Sequence, residues 1–190
     1  MSIARSRQSS IRRALPLLAL LLACGKSDQG PPAFRGPGLQ VAALEVDQQT
    51  AVNAAAAGAA FDPDPSLSLL LDPVYLPRSE GRAGGTPVAP ALIARMKQRG
   101  TIRGTCQPSR EDVRTVPLCE AAISGYVVRF SEILRRGTSP DSVQVYLAAT
   151  RYRHEPNEPA ELLSFERAYQ LARSRGQWRV TSEARIPNPR

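Results

Sequence analysis

The chain has 190 residues, 42% of them hydrophobic and 22% charged, and a formal net charge of +8 at pH 7. This length suits one ordinary domain, and the sequence has neither an internal repeat nor an apolar run long enough to cross a bilayer. A basic balance often points to nucleic acid or an anionic surface, but Lys26 and Lys97 are the only lysines, so 23 of the 25 basic residues are Arg. Together with many Ala and Pro, that bias resembles GC-rich coding more than a chemical choice.

The start of the chain carries Arg5, Arg7, Arg12 and Arg13 with no acidic residue, followed by the apolar stretch "ALPLLALLLA" from Ala14 to Ala23. A bilayer needs about 20 apolar residues, and this stretch is shorter and holds Pro16. A positive start, a short apolar run and a small residue at its end describe a secretory signal over residues 1–23. The ending "LLAC", Leu21 to Cys24, resembles the lipobox of bacterial lipoprotein precursors. The resemblance implies a diacylglycerol group on the Cys24 sulfur, cleavage just before Cys24, acylation of the new amino terminus, and a protein that sits on a membrane without spanning it. Gly25, where an aspartate would resemble an inner-membrane retention signal, implies the outer membrane, facing the periplasm. That compartment holds no nucleic acid. Losing the four signal arginines leaves a net charge of +4, and the surplus lies from Ile123 onward, where 11 Arg face 7 acidic residues.

Residues 24–38, including "GKSDQGPPAFRGPG", read as a flexible tether, and residues 39–190 as a single α+β domain. Its Ala-rich stretch Gln40–Ala60 predicts a helix. Asp62-Pro63-Asp64-Pro65 forces an extended or turned entry to a short buried strand at Leu67–Leu71, ended by Asp72-Pro73. After a loop, Pro87–Arg99 predicts a second helix, with Pro90 in its first turn, Gly100 at its end, Lys97 and Arg99 in its last turn, and Ile93 and Met96 on its apolar face. Cys106 and Cys119 enclose twelve residues, "QPSREDVRTVPL". In an exported chain this pair reads as a disulfide, stabilising by about 3 kcal/mol in the chain-entropy view. A zinc site needs more ligands nearby than His154, the sole histidine, can supply.

The last third holds four strand-like runs, "GYVVRFSEIL", "DSVQVYLAATRYR", "LLSFERAYQLARS" and "QWRVTSEARI". Val143, Val145 and Leu147 alternate with Gln144 and Tyr146, and Trp178 and Val180 with Arg179 and Thr181. Period-two patterning with short connections predicts an antiparallel meander of about four strands. Leu162–Ser174 fits strand or helix, and strand is the reading adopted. The expected architecture is therefore N-terminal helices packed on a C-terminal antiparallel sheet. The terminal "YQLARSRGQWRVTS", Tyr169 to Ser182, resembles the last hairpin of NTF2-like and cystatin-like cone folds. That resemblance implies a pocket between helix and sheet, near Tyr126, Phe130, Tyr146 and Trp178.

Catalytic patterns are scarce. A Ser-His-Asp arrangement would need His154, which sits in the proline-rich turn "RYRHEPNEP" rather than beside an orienting partner. Asp62, Asp64 and Asp72 each precede a proline, which is ordinary turn chemistry. No metal ligands and no cofactor are expected. Arg129, Arg151, Arg167 and Arg179, with Arg153, lie in strand-like runs. On one face they would form a cationic stripe for a small anionic ligand or an envelope protein; on a solvated face, Glu166 or Glu183 would pair with them. The sequence therefore predicts a non-enzymatic, lipid-anchored envelope protein with a structural or partner-binding role, with a ligand-binding cone-fold module as its alternative and a hydrolase as a third reading.

Overall fold

The computed structural model describes residues 39–61, 67–76, 85–108, 116–153, 155 and 163–186. Cys24, the tether, the Asp62-Pro65 entry and His154 lie outside the described residues.

Among the described residues the fold is mixed α and β and dominated by one curled sheet of eight strands. In chain order these are β1 (Leu39–Val41), α1 (Val46–Phe61), β2 (Ser68–Leu71), α2 (Pro90–Gln98), β3 (Gly104–Thr105), β4 (Gly125–Phe130), β5 (Leu134–Arg136), β6 (Ser142–Tyr152), β7 (Ser164–Ser174) and β8 (Gln177–Ile186). The four expected runs are β4 with β5, then β6, β7 and β8, paired antiparallel in succession. Within the ambiguous stretch Leu162–Ser174, Ser164–Ser174 is strand β7, which lies between β6 and β8.

The sheet exceeds the expected meander of about four strands. β2 lies parallel to both β4 and β3, and β1 pairs antiparallel with β5. β1 occupies residues that the alanine content assigned to the first helix, which begins only at Val46. High helix propensity is a weak prior, and pairing with a sheet edge overrides it. The second helix starts at Pro90, its N1 position, rather than at Pro87, and Arg99 is its C-cap. Gly100 follows at φ +72°, a left-handed conformation that ends the helix.

Alternation along paired strands gives the sheet two faces. On the first, Val128, Phe130, Val143, Val145, Leu147, Tyr169, Leu171 and Trp178 pack with Val52, Ala56 and Ala57 of α1 and Leu92 and Met96 of α2 in one core. Asp47 of α1 ties to Arg95 of α2 through two carboxylate contacts, the second at 3.0 Å. The opposite face was expected to be polar at Gln144 and Tyr146, yet both side chains are buried. Tyr146 packs with Leu134 and Ala168 beneath Leu39 and Leu76, while Val127 and Tyr152 pack with Leu70 and Cys119. Segments distant in sequence therefore cover the second face.

Candidate functional site

The disulfide Cys106–Cys119 is formed, with its Cα atoms 5.7 Å apart. Cys106 is drawn to β2 by its backbone N–H, which donates to the Leu71 carbonyl, and Cys119 to the end of β6 by an N–H donated to the Arg153 carbonyl. The bond thus pins the connection between β3 and β4 over Val127 and Tyr152, and the Tyr152 hydroxyl donates to the Ile123 carbonyl at 2.8 Å. Its role in the structure is to hold a cover on the second face.

The arginines singled out in the sequence do not form one stripe. Tyr126 lies opposite Arg151, and Arg129 lies opposite Ala148, so odd positions of β4 share a face with even positions of β6. Arg129 therefore stands on the second face, and Arg151 and Arg167 on the helix-covered face. A β-bulge between Gln170 and Leu171 shifts the register so that Arg179 lies opposite Ala172, which puts Arg179 on the second face with Arg129.

Arg129 is an internal brace. Its Nε donates to the Val74 carbonyl and its Nη2 to the Tyr75 carbonyl, both at 3.0 Å, and its Nε lies 3.5 Å from Asp72 Oδ2. Asp72, expected to serve only as a turn residue, is 5% exposed. The pair fixes the segment after β2 along β4, where the Leu76 N–H donates to the Phe130 carbonyl. Gly85 completes the close approach, because a Cβ there would meet the Tyr75 carbonyl oxygen at 2.0 Å.

Glu166, expected as a partner for the strand arginines, lies opposite Ala148 on the second face. Burial raises its carboxyl above the usual carboxylate range, and the Arg129 charge opposes that shift. On the same face, the Gln144 amide donates to the Tyr146 hydroxyl at 2.6 Å. Burial, followed by the nearby Glu166 charge, pushes the Tyr146 hydroxyl far above the usual phenol range.

The other expected carboxylate, Glu183, does pair: Arg167 Nη1 donates to its Oε1 at 2.8 Å, across β7 and β8. The Arg167 guanidinium also lies over the Phe165 ring, 4.8 Å from its centre, within the range of a cation–π contact. Phe165 belongs to an aromatic trio with Phe61 and Tyr126, at centroid distances of 5.2 to 6.3 Å. Directly opposite Arg167 on β8 stands Arg185, which sequence reasoning missed because the bulge between them hides the register.

Two hollows flank these elements. One, of 440 Å³, opens between α1 and the turn joining β7 to β8; Asp47, Thr50, Arg99, Thr101, Gln177 and Trp178 are among its lining residues. The other, of 330 Å³, lies where β7 begins and β8 ends, lined by Ser164, Phe165, Glu166, Arg167, Arg185 and Ile186. Of the residues expected to surround a cone-fold pocket, Phe130 and Trp178 are buried in the helix-covered core with Tyr126 packed against it; Tyr146 lies on the opposite face. Among the described residues there is no group of three or more His, Cys, Asp or Glu side chains that could hold a metal, and no helix is long and apolar enough to cross a membrane. No protein-family model and no curated protein matches the chain.

Proposed function

We propose that this chain is a cell-envelope lipoprotein, anchored through Cys24 to the outer membrane, that acts by binding another envelope component rather than by catalysis. The observation that carries this reading is the Cys106–Cys119 bond in a chain that opens with a basic, apolar segment ending in "LLAC". Disulfides persist in oxidising compartments, and the lipobox resemblance assigns the same compartment independently. Intact mass of the chain extracted from its native membrane tests the reading. Loss of residues 1–23, added acyl mass at Cys24 and a gain of two hydrogens on reduction are expected. An unprocessed chain with three free thiols would overturn it.

A second reading, a small-ligand module of the cone-fold type, is favoured by the 440 Å³ hollow between α1 and the β7–β8 turn, with Trp178 in its wall. A ligand seated there would perturb the fluorescence of Trp178, the only tryptophan. Unchanged emission across a panel of envelope extracts would remove this reading.

A further inference from the structure

The environment of Arg167 holds more donors than acceptors. Arg167 and Arg185 lie directly opposite each other on β7 and β8, and like charges so placed destabilise a sheet. Glu183, the one carboxylate in contact among the described residues, takes a single Arg167 N–H through Nη1. Among the described residues, Arg167 Nε is buried without a well-aligned acceptor, and the buried hydroxyl of Tyr169 lies two residues along the same face. Tyr169 is 0% exposed. Burial raises its hydroxyl above the usual phenol range, Glu183 adds to the shift, and Arg167 opposes it through its charge and a side-chain hydrogen bond to that hydroxyl. Arg167 has more N–H donors than Glu183 and the Tyr169 hydroxyl can take up, and it stands beside the exposed Arg185, so added oxygens would stabilise this end of the sheet. The nearby 330 Å³ hollow gives access, with Phe165 as its apolar wall.

We propose that Arg167 and Arg185 form a binding site for a phosphate group at the β7–β8 end of the sheet. Guanidinium forks match the oxygens of a phosphate, and hydrogen bonds from charged donors are about twice as strong as neutral ones. Glu183 orients Arg167 by holding Nη1. Glu166, which also borders the hollow, faces the other side of the sheet. This assignment goes beyond the envelope reading and does not depend on the anchor.

The test uses the full-length chain purified in detergent, its thermal unfolding followed with increasing sodium phosphate and with sodium chloride at matched ionic strength. A saturable rise in Tm with phosphate alone is expected. Arg185→Ala, a change at an exposed side chain, abolishes the rise, and Arg179→Ala on the opposite face keeps it. Flotation of a Cys24→Ser chain with phosphatidylglycerol or phosphatidylcholine vesicles separates the sources. Phosphate-driven stabilisation without flotation identifies a soluble phosphate compound. Flotation with phosphatidylglycerol alone, lost in Arg185→Ala, identifies a lipid headgroup. An equal rise in chloride, or a response to phosphate or vesicles undiminished in Arg185→Ala, overturns the proposal.

Discussion

The two faces of the sheet are covered by different means. The helix-covered face is closed by apolar side chains from α1, α2, β4, β6, β7 and β8 in one continuous core. The opposite face is closed in two smaller clusters, one under a disulfide and the other beside the Arg129 brace to the segment after β2. Burial of hydrocarbon is indifferent to redox state and nearly so to pH. A cover held by a sulfur bond and charged groups responds to both. One sheet thus carries a robust side and a conditional side.

The contrast breaks most sharply if a core substitution on the robust side proves mild. Leu147 is 0% exposed, and Leu147→Ala should cost about 2–5 kcal/mol through lost burial and a residual cavity, read as a lower denaturation midpoint in urea. On the conditional side, reduction of the Cys106–Cys119 bond should cost about 3 kcal/mol. Hydrogen exchange should then rise at Val127 and Tyr152 and stay low at Val145 and Leu171; uniform loss of protection would show that the faces are not separable. Arg129→Met removes the donors to the Val74 and Tyr75 carbonyls and leaves the nearly buried Asp72 without that charge. A loss of about 1–3 kcal/mol is expected in the same urea assay.

The pH response sharpens the comparison further. Because burial raises the Glu166 carboxyl, the folded chain holds that proton more tightly than the unfolded chain does. Its contribution to stability is therefore greatest below the ordinary carboxylate range and falls as pH climbs through the raised value. Glu166→Gln should flatten that part of the stability–pH curve, by less than about 1 kcal/mol after solvent screening; an unchanged slope would remove Glu166 from the account. The smallest effect is expected at the exposed pair between α1 and α2. Asp47 is held below the usual carboxylate range chiefly by its hydrogen bond from Arg95, but surface pairs of this kind contribute little. Asp47→Asn should leave the thermal midpoint within experimental scatter.

Local patterns in the sequence carried the regular parts of this fold. The alternation in β6 and β8, the apolar run of β2 and the proline-started α2 were all legible, and so was the cysteine pair. Pairings between distant segments were not. β1 is three residues long and owes its conformation to β5, and β2 joins β4 in parallel with no local signature to announce it. Gln144 and Tyr146 looked solvent-facing because alternation reports which residues share a face, never what covers that face. The same blindness affected the site. Whether Arg129, Arg151, Arg167 and Arg179 share a face depends on inter-strand register, which sets Arg129 and Arg179 against Arg151 and Arg167. Arg185 and the Tyr169 hydroxyl become notable only when their neighbours are known.

The register shift between Gln170 and Leu171 has a consequence for how β8 divides its labour. If all these residues ran through a ladder with no bulge, a single parity would govern the whole strand, and Trp178 and Arg185 would point to opposite sides. With the bulge, even positions Trp178 and Val180 and odd positions Glu183 and Arg185 all project toward the helices. One strand thereby contributes a hydrophobic anchor at one end and a cationic lip at the other, on the same side of the sheet. Thr181 is the residue the ladder skips, so deleting it would leave Val180 opposite Leu171, Ser182 opposite Gln170 and Arg185 opposite Arg167 in an unbroken alternation. Both ends of β8 would keep their side of the sheet, and only the local bend would be lost.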